Sequence, residues 1–480
     1  MSTVEGIATG ATTESTPVEQ PPALVRLATL IATLRCLAPE DTAVAAARMR
    51  LFDTVCCLVA ALGTDEAVSL HRVVGRLSTQ DDMSAGDLLT LLCGIARSTE
   101  LDDIHIGSCT TVGSVIVPTV LVTARGLGGH VGEDDLLIAM VAGYEAMATL
   151  GMATDGANQI YKGIWPTYLA APFGAAAATG YLLGLSADQM AHALSIAASR
   201  SVGMVGDTGG GMTSRWFSLG RAATEGYYAA VAASQGMQGD LRFLEGSFER
   251  AVGIAVDLEC FDDRRFSRWI EHIDIKPFRT QRQSLSAVEA FISLVSGRDV
   301  TECVGVEVFS PAQFAVNIDR KDPPHHRLTP GVQYLLGLAA YDPARLWDVS
   351  RHPVRDDEAL RAFMNLVQIV VDGELTVLYP DHWAGRVRVT WSDGSIGEMT
   401  VIDPKGCALQ PMTWQEVRDK YRLVFGSSRV TERFGGVNSE RWIDELLRTC
   451  SSSDGTPIEA TAIFKMLETS GLAITPRILS

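Results

Sequence analysis

The chain has 480 residues, of which 47% are hydrophobic and 20% are charged. This length accommodates two packed domains, and the composition is that of a globular protein, which excludes a largely disordered chain. The formal net charge of −17 argues against nucleic acid or an anionic membrane as the main partner, and we expect neither.

The 9 cysteines are odd in number, scattered through apolar segments, and include no Cys-X-X-Cys pair. This usage is typical of buried thiols in a reducing compartment and not of a disulfide framework or a zinc site. We therefore expect a cytoplasmic protein.

The N-terminal 22 residues are rich in Thr, Ser and Pro and lack the basic and apolar regions of a signal peptide, which predicts a disordered tail over 1–22. The most apolar long segment, 136–152, carries Glu145 and falls short of the roughly 20 apolar residues that span a bilayer. The sequence therefore predicts a soluble protein.

From residue 23 to about 261, apolar residues recur at spacings of three and four, as in "LVRLATLIATLRCL" and "SADQMAHALSIAAS", which predicts helices. Ser186, followed three residues later by Gln189, predicts a capping box at the start of one of them. Strand-like alternation is almost absent from this part of the chain.

The pattern then changes. Three segments are β-branched and alternating, at 303–311, 375–380 and 386–403, and the last predicts a hairpin that turns at Asp393-Gly394. Helical patterns remain between them, at 283–297 and 331–340.

Helical patterns also return after Pro404. We therefore predict a mainly α protein, with a large all-helical domain formed by 23–269 and 404–480. A smaller α+β domain, placed like a lid, is inserted at 270–403.

The stretch "ELDDIHIGSCTT" crowds titratable groups into a few residues. Asp102, Asp103 and His105 can converge on one small volume, where a histidine beside carboxylates is suited to general acid/base chemistry. A polar helix cap with a locally bonded histidine remains an alternative. A metal site is a second alternative. No His-X-His or His-Glu-X-X-His pattern supports it, and we therefore predict no metal.

Two further stretches indicate anion binding. In "GDTGGGMTSRWFSLGRAATEGYYAA", glycines allow close approach of a ligand, and Arg215 enters the following helix, where it could clamp a carboxylate. In "IKPFRTQRQS", Lys276, Arg279 and Arg282 form a cationic cluster at the predicted domain junction, which suits a di- or tricarboxylate. For the first stretch, the alternative is a flexible connector with a solvated arginine. For the second, it is a charged face exposed to solvent.

Taken together, these stretches resemble the MmgE/PrpD family, which includes 2-methylcitrate dehydratase, cis-aconitate decarboxylase and iminodisuccinate epimerase. "ELDDIH" is similar to the family's ELDDxH motif, "SRWFSLGRAATEGYYAA" to its K-x-x-H-x-G-x-A-A-x-x-G pattern, and "IKPF" to its KPY/KPF pattern. "GIWPTYLAAPFGAAAATGYLLGL" and "PKGCALQPMTWQEVRDKY" resemble two more family blocks, so that the likeness spans about residues 51–425.

The resemblance implies a helical domain with an α+β lid, a homodimer, no cofactor, and an active site in the cleft between the domains. It also implies proton abstraction beside a carboxylate. By position, Asp102, Asp103 and His105 fall in the acid/base loop, and Lys276 and Tyr334 match active-site positions. Without the resemblance, a tyrosine that opens an apolar helix, as Tyr334 does, is more often part of a core.

The chain departs from the family pattern at four places, one of which is Thr280-Gln281, where members frequently have Ser-Cys. Thr111 and Trp165 stand where members usually have histidines, although Thr167 of the second motif remains, and Arg215 replaces the usual lysine. Threonine cannot act as a base near neutral pH and arginine does not give up its proton. We therefore expect Thr111, Trp165, Thr167 and Arg215, together with the two arginines of the cationic cluster, to bind substrate.

Three functions remain open. The first is a cofactor-independent lyase that dehydrates or decarboxylates a small di- or tricarboxylate other than 2-methylcitrate. The second is an isomerase or epimerase that uses proton transfer alone. The third is a non-catalytic binding protein on the same fold. We expect an enzyme, because most of the matched active-site residues are present.

Overall fold

The computed structural model of the protein describes residues 20–77, 83–128, 131–204, 212–262, 266–319, 331–349, 358–426, 439–451 and 459–472. Of the predicted disordered tail, 1–22, residues 1–19 lie outside the described residues, and helix α1 begins at Ala23.

The described residues are mainly helical with one small sheet, which confirms the predicted fold class. The helices of the N-terminal part are α1 Ala23–Thr33, α2 Thr42–Ala61, α3 Asp65–Leu77, α4 Ala85–Ser98, α5 Gly113–Gly126, α6 Glu133–Ala153, α7 Gly156–Gln159, α8 Pro166–Leu182, α9 Ala187–Ala198, α10 Ser214–Ser234 and α11 Ser247–Val252. The later helices are α12 Arg282–Val295, α13 Ala312–Ile318, α14 Val332–Tyr341, α15 Glu358–Leu366, α16 Gly373–Leu378, α17 Trp414–Gly426, α18 Ser439–Ser451 and α19 Ala460–Thr469.

Small residues bring the central helices of the N-terminal part into close contact. Helix α8 is buried along nearly its whole length between α6 and α10. A side chain at Gly226 of α10 would place its Cβ 2.0 Å from the carbonyl oxygen of Pro172 in α8. One at Gly174 of α8 would lie 2.6 Å from the Cβ of Met147 in α6. The Ala- and Gly-rich sequence therefore serves backbone-to-backbone packing.

The sequence argument that segment 136–152 is too short to span a bilayer does not hold for helix α6, which contains it. Among the described helices it is the one that is long and apolar enough to cross a membrane, over Asp134–Ala153. However, 94% of this stretch is buried inside the protein, which is the environment of a core helix that is hydrophobic on all sides.

The sheet has four described strands in the order β2-β1-β3-β4, with β1 and β2 parallel and the other pairs antiparallel. The strands are β1 Cys303–Ser310, β2 Val367–Val371, β3 Gly385–Trp391 and β4 Ile396–Val401. Alternate residues of β3, such as Val387 and Val389, are buried against Phe291 of α12. The predicted hairpin is confirmed, and Gly394 at its turn has a φ of 84°.

The predicted strand at 375–380 is wrong, because Gly373–Leu378 is helical. Asp372 is the reason: its carboxylate accepts the backbone N–H groups of Glu374 and Leu375, which caps a helix at this point and ends the extended chain. The strand is the preceding segment, Val367–Val371. The capping box at Ser186 and both predicted helices between the strands are confirmed.

The C-terminal helices return to the N-terminal ones. Val417 and Tyr421 of α17, Ile443 of α18 and Ile463 of α19 belong to the same hydrophobic core as α2, α4, α5, α6 and α8. A second core lies between the sheet and α12. We call the first assembly the helical body and residues 282–401 the sheet region.

We predict that Gly226→Ala lowers the free energy of unfolding by about 1–3 kcal/mol, because the added methyl group overlaps the backbone of α8. Gly75→Ala in α3 is the matched control, since nothing lies within 4 Å of the point that its added methyl group would occupy. It should stabilise the protein by up to about 1 kcal/mol through helix propensity. Urea unfolding of both variants checks this, and equal effects would contradict the packing argument.

Candidate active site

The acidic stretch is a loop between α4 and α5 that is paired with the chain entering the sheet region. Ile104 donates its N–H to the carbonyl of Asp274 at 3.0 Å and accepts the N–H of Asp274 at 2.8 Å. This pairing brings the loop beside Lys276, which lies two residues further along. Glu100 and Cys109 have positive φ values of 59° and 53°, a conformation that non-glycine residues adopt mainly where the surroundings enforce it.

A cavity of about 570 Å³, including its open mouth, lies where this loop meets the starts of α10 and α12. Four cationic side chains and one carboxylate lie among its described lining residues: Arg97, Arg215, Lys276, Arg282 and Glu100.

Two of these cations belong to a buried charge network. Arg97 Nη1 lies 2.9 Å from Glu100 Oε2 and 3.2 Å from Asp102 Oδ1. Lys276 Nζ lies 3.6 Å from the same Asp102 oxygen and 3.8 Å from Glu100 Oε2. Burial raises the pKa of Asp102, while the charges of Arg97 and Lys276 oppose that rise.

Arg215 is held by aromatic rings at the cavity wall. Its guanidinium carbon lies 3.8 Å from the ring centre of Trp165 and 4.6 Å from that of Trp216. The Arg97 guanidinium carbon lies 5.4 Å from each of the same rings. Burial lowers the pKa of Arg215 to about 10, so the side chain remains charged near neutral pH. A buried guanidinium group, that of Arg97, and a half-buried one, that of Arg215, therefore pack on the same two rings, a geometry suited to binding a carboxylate at two points.

The fourth cation stands at the start of α12. Arg282 Nε pairs with Asp274 Oδ2 at 2.6 Å, and both side chains are buried. Gln281, the N-cap residue, makes no side-chain cap, although it and Gln283 line the cavity. The first N–H groups of α12 thus add a partial positive charge to this side of the cavity.

Several residues predicted from the sequence meet here. Thr111, Trp165, Arg215, Lys276 and Arg282 line the cavity. Asp102 lies directly behind, against Lys276. Thr167 supports the wall, since its Oγ1 accepts the N–H of Thr111 at 3.1 Å.

Asp103 lies away from the cavity lining. It accepts the backbone N–H of Gly113 and the hydroxyl of Tyr144, each at 2.7 Å, and it is fully buried. Burial raises its pKa to about 6. Asp103 therefore anchors the start of α5, and the catalytic placement expected from the sequence is not found for it.

His105 also lies behind the lining. Its ring packs 4.9 Å from that of Trp269, and Nδ1 accepts the N–H of Ser108 at 3.2 Å. Burial lowers its pKa to about 3, with a smaller contribution from His272. The tuning of this histidine towards neutrality expected from the sequence is not found, because burial dominates and no carboxylate among the described residues is paired with the ring.

Tyr334 and Arg279 lie near each other in the fold. Tyr334 packs against a small hydrophobic cluster that contains Phe278 and Leu346, and burial raises its pKa. Arg279 donates to the carbonyl of Asp348 at 3.4 Å. Neither side chain is among the described residues that line the cavity.

Sequence reasoning missed Arg97, Gln281 and Asn317 among the lining residues. Arg97 had a signal, because it is the one charged residue that follows the apolar run "LLTLLCGIA" and precedes the acidic motif. Asn317 had none, since α13 reaches the cavity only through the packing of the sheet region.

The protein belongs to the MmgE/PrpD family. The family's N-terminal domain matches residues 25–253 and its C-terminal domain matches residues 278–433, which confirms the resemblance seen in the motifs.

The chain is similar to a cis-aconitate decarboxylase of Aspergillus terreus, with 32% identity over 70% of this chain and 74% of the relative. A second cis-aconitate decarboxylase, of A. terreus strain NIH 2624, is 25% identical over 70% of this chain and 74% of its own length. A cis-aconitate decarboxylase-like protein, oryM of Aspergillus oryzae, is 26% identical over 72% and 76%.

We predict that His105 does not titrate between pH 5 and pH 8 in the folded protein, and that its ring proton resonances stay constant there. In the unfolded chain it binds a proton below about 6.5, whereas the folded chain binds one only near 3. Its contribution to stability is therefore present above pH 6.5 and is lost as the pH falls from 6.5 towards 3.

His105→Asn, which keeps an acceptor near the Nδ1 position, isolates this contribution. The unfolding free energy of the natural protein should decline relative to the variant by up to about 1.4 kcal/mol per pH unit in that window. A pH-independent difference between the two proteins would show that the histidine is not buried in its neutral form.

Proposed function

We propose that the protein is a lyase that decarboxylates a small di- or tricarboxylic acid, with cis-aconitate as the first substrate to test. Family membership and the decarboxylase relatives support a lyase-type reaction on a carboxylic acid. The observation that carries the proposal is the excess of cationic over anionic side chains around one small cavity.

The charge balance of the cavity favours a polyanion. Four cations line it, and three carboxylates, those of Glu100, Asp102 and Asp274, pair with them. A net positive charge remains, to which the N-terminus of α12 adds. A substrate carboxylate about 4 Å from one of these cations gains roughly 4 kcal/mol at an effective dielectric constant of 20, before desolvation is counted.

The same charges suit the chemistry of decarboxylation. In a β,γ-unsaturated acid, the C–C bond to the departing carboxylate breaks and CO₂ leaves. Its electron pair forms a new double bond and shifts charge onto the former alkene carbon, beside a second carboxylate. Fixed cations stabilise this charge as it develops. The former alkene carbon then takes one proton, for which Lys276 is the proposed donor, and water restores the proton to the lysine.

Decarboxylation fits the described lining better than dehydration or epimerisation. Those two reactions begin with removal of a C–H proton and therefore need a base near neutral pH. No histidine is among the described lining residues, and burial raises the pKa of Cys109 to about 12. The one carboxylate among the described lining residues, that of Glu100, is already paired with Arg97 at 2.9 Å. Decarboxylation needs one proton donor and no base, which matches the guanidinium groups and the one lysine of this lining.

We predict that the purified protein releases CO₂ from cis-aconitate and, in D₂O, places one deuterium on the former alkene carbon of the product. Lys276→Met should lower kcat by roughly 10²–10⁴-fold through loss of the proton donor. Lys405→Met is the matched control, because Lys405 pairs with Glu416 at the protein surface. Proton NMR with a parallel CO₂ assay measures both.

Other results of these assays would indicate a different function. Deuterium uptake without CO₂ would indicate an isomerase or epimerase. Binding of tricarballylate, a saturated tricarboxylate, without turnover of cis-aconitate, methylcitrate or iminodisuccinate would indicate a binding protein or a different substrate. Failure to bind any of these acids would contradict the assignment of the cavity to polycarboxylates.

A further inference from the structure

We propose that Lys420, on the C-terminal helix α17, is a positioning residue for this active site. Through its ammonium group it fixes the backbone of the loop that presents Glu100 and Asp102 to Lys276. The proposal rests on the proposed function only in taking this loop as part of the site.

Lys420 makes two contacts inside the protein. Its Nζ lies 2.7 Å from Asp53 Oδ1 in α2 and donates to the carbonyl oxygen of Leu101 at 3.1 Å. Both charged side chains are fully buried. Leu101 stands between Glu100 and Asp102, so the ammonium bonds to the peptide that joins the two carboxylates of the charge network.

A second lysine bonds to the neighbouring peptide. Lys276 Nζ donates to the carbonyl oxygen of Glu100 at 3.3 Å. Two successive carbonyls of one loop are thus held by two buried ammonium groups, one from the segment that enters the sheet region and one from α17. Glu100 has its φ of 59° at this point. Because a non-glycine residue persists in this conformation only where its surroundings over-determine it, both lysines act where restraint is needed.

Stability alone does not account for a charge at position 420. A buried ion pair pays a desolvation penalty that offsets most of its attraction, and well-packed apolar side chains of similar volume often stabilise a protein equally well. What an apolar side chain cannot do is donate to the Leu101 carbonyl. The use of Lys420 is therefore to fix the loop's orientation.

Tyr421 offers a natural comparison. Its hydroxyl donates to Asp53 Oδ1 at 2.8 Å and contacts the Sγ of Cys57 at 3.1 Å, so it also fastens α17 to α2. No described contact joins it to the loop. Tyr421→Phe thus perturbs the same carboxylate and the same helix packing without removing a bond to Leu101.

The experiment compares Asp53→Asn/Lys420→Met, which removes the donor to Leu101 without leaving a buried charge unpaired, with Tyr421→Phe. Three quantities are measured in each: the melting temperature, hydrogen exchange of the backbone amides in 99–112, and kcat and KM for cis-aconitate. In the double variant we expect exchange in 99–112 to rise by about tenfold or more. We also expect kcat to fall by roughly 10²-fold, the cost of a misplacement of about 1 Å, while KM changes by less than about threefold.

Tyr421→Phe should lower the melting temperature while leaving exchange in 99–112 and kcat within about twofold of the natural protein. Equal loop exchange in the double variant and the natural protein would overturn the proposal, and so would equal losses of kcat in both variants. If the double variant does not fold, Lys420→Arg takes its place, because it keeps the charge pair but displaces the donors. Absence of turnover in every protein would count against the proposed function alone, since the exchange measurement decides the positioning role without it.

Discussion

The burial of three cations, Arg97, Lys276 and Arg282, around one small cavity is the constraint to which the rest of the site responds. An ammonium or guanidinium group removed from water is stable only with hydrogen-bonded anionic partners. The chain supplies three carboxylates for this purpose, two from the loop after α4 and one, Asp274, from the segment that enters the sheet region. Because these partners come from separate segments, the helical body and the sheet region must meet at this point before the charges can be buried together.

The pairing of Ile104 with Asp274 shows how backbone and charge cooperate. The two backbone hydrogen bonds align the loop with the strand-like segment that carries Lys276. The Asp274 side chain then turns to Arg282 at the start of α12, and its other oxygen accepts the N–H of Ala408. Asp274 therefore contacts the loop, the first helix of the sheet region and the chain that returns to the helical body. The cavity lies where these three segments meet.

Most of the helices could be predicted because their apolar periodicity reports directly on burial. The hairpin could be predicted because Asp393-Gly394 combines a turn dipeptide with alternation on both sides. Segment 375–380 could not, because a single capping carboxylate, that of Asp372, outweighs the β-branched composition that follows it. Local sequence patterns therefore predicted these local structures. The prediction for 375–380 was wrong because the capping residue and the β-branched composition favour different structures.

The candidate site was predictable in its charges but not in its geometry. Residue type and motif identified Asp102, Lys276 and Arg215 as candidate site residues, and in the structure all three lie at one cavity. The position of His105 behind that cavity depends on the loop's tight turn, which no spacing reveals. The same is true of Arg97, since an arginine in the last turn of a helix is equally explained by the helix dipole.

The replacements at the cavity wall change what the site can do. Where the family pattern has a histidine and a lysine, this chain has Trp165 and Arg215, and the two side chains stack with 3.8 Å between the guanidinium carbon and the ring centre. A proton-transferring pair is thereby exchanged for a permanent charge supported by an aromatic face. Such a charge cannot move a proton, but it stabilises developing anionic character without reorganisation. The exchange therefore suits the proposed decarboxylation, whose main demand is to stabilise the electron pair left behind by CO₂.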